Sequence, residues 1–147
     1  LYAGLIQTAT GPKVIEFNAR FGDPETQVVL ARLESPLSEI ISSLLAKEQP
    51  TIVWNELASV GVVVAAEGYP NQYKTNLPLP EMSGETIYYA GVTRSEQALV
   101  SAGGRIFLAE ATASTLEEAR KKVYQTLDNY SFPGMYYRKD IGVKGLI

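Results

Sequence analysis

The beginning of the sequence alternates short apolar runs with turn-forming residues, a pattern that predicts a β-hairpin. Residues 2–8 and 13–18 are strand-like runs. The segment between them, residues 9–12, has the glycine and proline content of a turn. We therefore expect two antiparallel strands at this end of the chain.

Two helices are predicted after the hairpin. Asp23 supplies a helix-capping side chain and Pro24 suits the first helical position, so a helix should cover about residues 24–34. Residues 35–36, a Ser-Pro pair, repeat the start signal for a second helix that should end near Lys47. Its apolar positions recur at helical spacing and predict one buried face: Leu37, Ile40, Ile41, Leu44 and Leu45.

Strands dominate the pattern after residue 55. The continuous apolar run 60–66 predicts a buried strand, whereas residues 71–84 hold prolines and a glycine and are typical of a loop. Residues 86–92 and 105–111 predict further strands. The second of these follows a Gly-Gly pair at 103–104, which is typical of a hairpin turn.

One long helix is predicted near the other end of the chain. Residues 114–118 contain two overlapping capping boxes, in which a hydroxyl side chain is followed by a glutamate three positions later. The apolar stripe of this helix is Leu116, Ala119, Val123, Leu127 and Tyr130.

The predicted elements together indicate an α+β fold in two parts. Residues 48–55 contain Pro50 and lose the helical pattern, so we place a domain boundary there. This divides the chain into residues 1–50 and residues 51–147.

Composition excludes several classes of function. The net charge of −3 disfavours binding to a polyanion, so nucleic acid is not expected as a partner. The sequence has no histidine and no cysteine, which removes Ser–His and thiol catalysis and the usual zinc ligands. The remaining oxygen ligands suit Mg²⁺ or Mn²⁺. No apolar run reaches the roughly 20 residues of a membrane span, and we expect a soluble, cytoplasmic protein that is part of a longer polypeptide.

Glu16 and Asn18 are the first candidate site residues. They lie two positions apart on a predicted strand, so their side chains leave the same face. A carboxylate beside an amide oxygen can hold a hard cation while leaving positions for water and phosphate oxygens. An exposed polar strand face is the alternative explanation, and the spacing alone does not exclude it.

Arg20 and Asp23 lie between this strand and the following helix. A helix N-terminus near an arginine favours anion binding. For Asp23, the alternative is a capping role with its carboxylate bound to backbone amides. Arg20 has no such structural explanation.

Five segments of the sequence resemble phosphoribosylamine–glycine ligases, and the resemblance covers essentially the whole chain. The most specific segment is residues 14–27, VIEFNARFGDPETQ. The other four occur in the order found in that family: residues 59–70, 103–105, 115–120 and 137–142. On these motifs the chain is identified as a member of the family, which is part of the ATP-grasp superfamily.

The resemblance implies both a fold and a reaction. Residues 1–50 would be the carboxy-terminal piece of an ATP-grasp domain, and residues 51–147 a small, β-rich, barrel-sandwich-like domain with one main helix. The complete enzyme would use ATP to join glycine to phosphoribosylamine through a glycyl phosphate, giving glycinamide ribonucleotide, ADP and phosphate in purine biosynthesis. Upstream domains of the same polypeptide would complete the site, so the fragment is expected to be inactive alone.

The resemblance also implies a role for each candidate residue. Glu16 and Asn18 match the pair that binds Mg²⁺ or Mn²⁺ against the phosphates of ATP. Arg20 and Asp23 would face the acyl phosphate and the incoming substrates. Arg105 corresponds to a basic position that related purine enzymes use near a ribose phosphate.

Two alternatives remain open. One is a non-catalytic module that binds a partner or a metabolite, and the other is an ATP-grasp ligase that acts on a different carboxylate. The joint presence of Glu16, Asn18 and Arg20 favours an enzyme over a binding module. The run at residues 22–27 disfavours the other ligase.

Overall fold

The computed structural model describes residues 2–82, 86–96 and 98–146 of the chain. These residues form antiparallel sheets, three α-helices and a short 3₁₀ helix at Val143–Leu146. The predicted α+β class is confirmed. No helix in the described ranges is long and apolar enough to cross a membrane.

The predicted hairpin is confirmed. Strand β1 (Tyr2–Thr8) pairs antiparallel with β2 (Gly11–Asn18). β2 begins two residues earlier than predicted, because Gly11 already pairs with Thr8 and the turn contains only Ala9 and Thr10. Gly11 has a φ of 100°, which a residue without a side chain adopts at little cost.

Helix α1 (Glu25–Leu30) is shorter than predicted. Its N-cap position is occupied by Pro24, and no side chain caps the helix, so the predicted capping role of Asp23 is wrong. The chain leaves the helix early because residues 32–35 turn to bond with residues 53–55. The Glu34 amide donates to the Val53 carbonyl at 3.0 Å.

Helix α2 (Leu37–Leu45) also differs from the prediction at its start. Pro36 stands at the N-cap, and the hydroxyl of Ser35 instead accepts the Val53 amide at 2.8 Å. Of the predicted apolar face only Ile40 is buried, while Leu45 is 80% exposed. The predicted burial of this face is therefore wrong for the described part of the chain, because none of its helices and strands packs extensively against α2.

A four-stranded antiparallel sheet forms the centre of the second part. Its long central strands, β3 and β7, were predicted, and the three-residue strand β8 was not. The order across the sheet is β4-β7-β3-β8. The strand bounds are β3 (Ala58–Ala66), β4 (Thr86–Tyr89), β7 (Arg105–Ala113) and β8 (Met135–Tyr137).

A second small hairpin lies beside this sheet and corrects two predictions. It consists of β5 (Val92–Ser95) and β6 (Ala98–Ser101), so the single strand predicted at residues 86–92 is wrong. The chain leaves the sheet at Gly91, where a Cβ atom would lie 2.7 Å from the carbonyl oxygen of Arg105. Gly103 packs against Gly91, so the Gly-Gly pair provides close packing, and its predicted role in a hairpin turn is wrong.

Helix α3 (Leu116–Asp128) confirms the predicted long helix. The hydroxyl of Thr115 accepts the Glu118 amide at 3.2 Å, as one of the capping boxes predicts. Tyr130, predicted in the apolar stripe, lies beyond the end of the helix. The core between α3 and the sheet contains Val62, Val64, Ile106, Phe107, Ala109, Ala119, Val123 and Leu127.

Residues 138–141 are fastened to α3 by hydrogen bonds. Arg120 donates to the carbonyls of Ile141 and Lys139 at 2.9 and 2.6 Å. The Tyr124 hydroxyl donates to the Arg138 carbonyl at 2.6 Å and accepts the Ile141 amide at 3.2 Å. This end of the described chain is thus packed on the helix.

Candidate functional site

The end of β2 places Glu16 and Asn18 side by side. The Asn18 amide donates from Nδ2 to Glu16 Oε1 at 3.0 Å. A β-bulge precedes the pair, because Gly4 of β1 is opposite Glu16 while Leu5 is opposite Val14. Bulges re-aim side chains and are frequent beside functional sites. A Cβ atom on Gly4 would lie only 3.3 Å from Glu16 Cγ, so glycine leaves room for the carboxylate.

The Glu16–Asn18 pair has the donor set of a partial site for a hard cation. A half-turn of the Asn18 amide would exchange its NH₂ for the carbonyl oxygen, giving two oxygens from one strand face. No three acidic side chains in the described ranges are grouped to hold a metal ion by themselves. Mg²⁺ commonly binds one or two carboxylates and takes its other ligands from water and phosphates. The pair therefore suits a Mg²⁺ ion that takes its remaining ligands from water and phosphate, and does not suit a site built from protein ligands alone.

Residues 19–24 connect the metal-ligand candidates to α1 and are held from two sides. Gly22 is buried, and its carbonyl accepts both the amide and the hydroxyl of Thr26, at 3.0 and 2.5 Å. Tyr2 donates its phenol proton to Glu25 at 3.1 Å, and this hydrogen bond raises the pKa of Tyr2. A Cβ atom on Gly22 would collide with the Glu25 carboxylate. The loop is therefore tied to α1, and α1 is in turn tied to β1.

Tyr2 and Glu25 were not among the predicted site residues. Glu25 lies within the family-like motif, but its partner is 23 residues away on the other strand of the hairpin. No local pattern in the sequence indicates such a contact, and only the hairpin register brings the two side chains together.

Arg20 lies exposed at the start of this loop. Its Nη1 donates to the carbonyl of Phe21 at 2.7 Å. This contact with a neighbouring carbonyl leaves the other face of the guanidinium open to solvent, where it can meet an anion.

Asp23 and Arg105 form an ion pair between residues 82 positions apart. Arg105 Nη2 contacts Asp23 Oδ2 at 2.8 Å, and Nη1 donates to the Asp23 carbonyl at 2.9 Å. The side chains are 39% and 52% exposed. The pair links the loop after β2 to the first residue of β7.

A small cavity of about 10 Å³ adjoins this ion pair. It is lined by Asp23, Arg105, Gln27 and Tyr88, together with apolar side chains. The side-chain oxygen of Gln27 is buried and has no hydrogen-bond partner in the described part of the chain. A cavity of this size is at the lower limit for holding one water molecule.

The predicted site residues thus fall into two pairs and one separate arginine. Glu16 contacts Asn18, and Asp23 contacts Arg105. Arg20 contacts neither pair, and no hydrogen bond or ion pair among residues 2–82, 86–96 and 98–146 joins the two pairs.

Two family models match the chain. The model of the phosphoribosylglycinamide synthetase C domain matches residues 59–144. The model of the ATP-grasp (A) domain of the same synthetase matches residues 1–26, which include Glu16 and Asn18.

Curated relatives and a solved structure agree with these matches. The phosphoribosylamine–glycine ligase of Halalkalibacterium halodurans is 51% identical over 99% of this chain and 35% of the relative. The ligase of Lactococcus lactis subsp. lactis is 51% identical over 99% of this chain and 36% of the relative. The crystal structure of the Thermotoga maritima phosphoribosylamine–glycine ligase matches with a TM-score of 0.81 at 30% identity, covering 94% of this chain and 35% of that one.

The chain spans about a third of the length of these relatives. The C-domain match covers more than half of the chain, and the high similarity extends over nearly all of it. The sequence motif, the antiparallel α+β fold and these matches agree, and the chain belongs to the phosphoribosylglycinamide synthetase family.

Proposed function

We propose that this chain is the carboxy-terminal part of a phosphoribosylamine–glycine ligase. The complete protein would join glycine to phosphoribosylamine with hydrolysis of ATP to ADP and phosphate. The main supporting observation is the contact of Glu16 with Asn18, within a sequence 51% identical over 99% of its length to curated ligases. A module that only binds a partner would have no evident need for this pair beside an exposed arginine.

Glu16 and Asn18 would hold Mg²⁺ or Mn²⁺ through a carboxylate oxygen and the amide oxygen. Such an ion, when bound, neutralises charge on the phosphates during transfer of the γ-phosphoryl group. The two side chains contribute a fixed direction, because both extend from one hydrogen-bonded strand. Glu16 is exposed and Asn18 is half-buried, so a cation held by the pair would remain accessible to ATP.

Arg20 and Arg105 would bind the anionic groups of the reaction. Arg20 is exposed next to the metal-ligand candidates, where it can contact the acyl phosphate of activated glycine. Arg105 would contact the phosphate of phosphoribosylamine, since a guanidinium matches a phosphate in geometry and charge. Both arginines would act by electrostatic stabilisation and positioning.

The exposed apolar residues of the first part suggest contacts with other domains of the same polypeptide. Ile15 and Phe17 of the hairpin are 66% and 64% exposed. We propose that upstream domains cover these residues and enclose ATP. In this scheme residues 1–50 belong to the ATP-grasp domain and residues 51–147 form the terminal domain, in a cytoplasmic enzyme.

Activity of the full-length protein tests the proposal. Wild type should form glycinamide ribonucleotide and ADP from phosphoribosylamine, glycine and MgATP. Glu16→Ala and Asn18→Ala should each lower kcat by about a hundredfold or more and shift the Mg²⁺ titration to higher concentration, because the phosphate clamp loses a ligand.

Lys13→Ala provides the matched control, since Lys13 is exposed on the same strand. It should leave both turnover and the Mg²⁺ dependence unchanged. Unaltered activity and an unaltered Mg²⁺ titration in both site variants would remove the metal assignment. Absence of ligation by the wild type would refute the proposed function itself.

A further inference from the structure

Arg105 uses only part of its hydrogen-bonding capacity on Asp23. The two contacts take one N–H from each terminal nitrogen. A guanidinium also carries Nε–H and a second N–H on each terminal nitrogen, all in one plane. These donors form no hydrogen bond with the described residues, and the side chain is 39% exposed. One edge of the guanidinium is therefore available to a ligand.

The direction of this free edge is fixed at both ends of the side chain. The backbone of Arg105 begins β7, and its carbonyl accepts the Gly91 amide at 2.9 Å. At the other end, Asp23 holds the guanidinium by both its carbonyl and its carboxylate. Two contacts from one residue fix the plane as well as the position of the group.

Stability is a weak explanation for this ion pair. Both partners are more than a third exposed, and ion pairs at that exposure contribute little to the free energy of folding. Asp23 also caps no helix. The contact instead holds the guanidinium of Arg105 in one orientation while some of its N–H donors remain unused. Recognition of a planar or tetrahedral oxyanion needs such an oriented cation.

We propose that Asp23 is a positioning residue that orients Arg105 toward the phosphate of the amine substrate, instead of facing the acyl phosphate as the family resemblance implies. This inference rests on the proposed function and deepens the role given there to Arg105. Asp23 acts through Arg105, so its removal should weaken binding of one substrate without slowing the chemical step.

The test measures steady-state constants of the full-length protein for each substrate. Asp23→Asn should raise KM for phosphoribosylamine by about tenfold and leave kcat and the KM values of glycine and ATP within about twofold of wild type. Arg105→Lys should give the same selective increase, because an ammonium group cannot bind Asp23 and a phosphate in one plane.

Asp140→Asn is the matched control. It breaks the Arg138–Asp140 pair, which is also an exposed contact of an arginine with an aspartate, at 2.6 Å. This variant should leave all the constants unchanged. Melting temperatures would check folding, and Asp23→Glu, which keeps the charge, should recover part of the lost affinity if Asp23→Asn is poorly folded.

Two kinetic results would overturn the inference. An equal rise in KM for all three substrates would indicate a structural contact, and a lower kcat at unchanged KM would put Asp23 in the chemical step. If the wild type fails to ligate at all, the proposed function fails, and calorimetry with ribose 5-phosphate still tests the inference. Wild type should then bind this probe about tenfold more tightly than Asp23→Asn. Equal binding, or no binding to either protein, would contradict it.

Discussion

Glu110 is a carboxylate held in the middle of the four-stranded sheet. It lies on β7, opposite Gly61 of β3 on one side and Thr86 of β4 on the other. Burial raises the pKa of Glu110, and a hydrogen bond from the Ser59 hydroxyl at 2.7 Å partly opposes this effect. Because the pKa of Glu110 is higher in the folded protein than in the unfolded chain, folding favours the protonated carboxyl. Its contribution to the free energy of unfolding is therefore fully present at a pH below the unfolded pKa and is lost as the pH rises through the folded pKa.

Glu110→Gln should therefore make the folded state more stable than wild type at pH 7. The amide avoids the desolvation of a charge while its oxygen can still accept the Ser59 proton. The difference should shrink as the pH falls to about 4, where wild-type Glu110 is also protonated. Urea denaturation of the chain at both pH values measures the effect.

The exposed Glu48 supplies the comparison for this prediction. Glu48→Gln changes the net charge by the same amount without a buried partner. It should leave the free energy of unfolding nearly unchanged at both pH values. If Glu110→Gln and Glu48→Gln change the free energy of unfolding equally at pH 7, burial does not raise the pKa of the Glu110 carboxylate.

Sequence predicted one of the two side-chain pairs in the site. The contact of Glu16 with Asn18 follows from the two-residue repeat of a strand, which is a local property. The contact of Asp23 with Arg105 depends on how the loop after β2 meets the start of β7, 82 positions later. Local signals instead suggested a capping role for Asp23. In the structure Asp23 pairs with Arg105 and does not cap the helix.

Among the elements, length decided which were predictable. β3 and β7 have nine residues each and α3 has thirteen, so their apolar patterns are clear. β8 has three residues and owes its conformation to pairing with β3, which no local pattern reveals. For α2, the apolar pattern correctly predicted the helix but incorrectly predicted that its apolar face is buried.

The cap of α3 gives a prediction at the scale of elements. Thr115→Ala should lower the free energy of unfolding by about 1 kcal/mol, because the Glu118 amide loses its acceptor at the helix start. Thr115→Ser keeps the hydroxyl and should restore most of that loss. Chemical denaturation measures both, and equal stabilities of the alanine and serine variants would show that the cap contributes nothing.

At the scale of the whole molecule, burial is uneven. The main cluster of buried residues lies between Val60 and Met135, around the four-stranded sheet and α3. The hairpin and α2 carry many exposed apolar side chains, among them Leu5, Ile6, Val14, Ile15, Phe17, Leu44 and Leu45. The second part therefore has a hydrophobic core of its own, whereas the apolar side chains of the hairpin are mostly exposed in this chain.

The isolated chain should fold but should not make glycinamide ribonucleotide. The core around α3 supports folding. The proposed cation ligands lie on an exposed strand, and a ligase site must enclose ATP and position both substrates. Calorimetry with MgATP should show binding weaker than micromolar, and product assays should be negative. Micromolar affinity or any product would contradict this prediction.

The fastening of residues 138–141 to α3 also affects local motion near this end of the chain. The amide hydrogen of Ile141 is held by the Tyr124 hydroxyl, although residue 141 belongs to no helix or strand. It can exchange with solvent deuterium only when this segment separates from α3. The exchange rate of this amide therefore measures how often residues 138–141 detach from α3. This detachment can be followed separately from unfolding of the core.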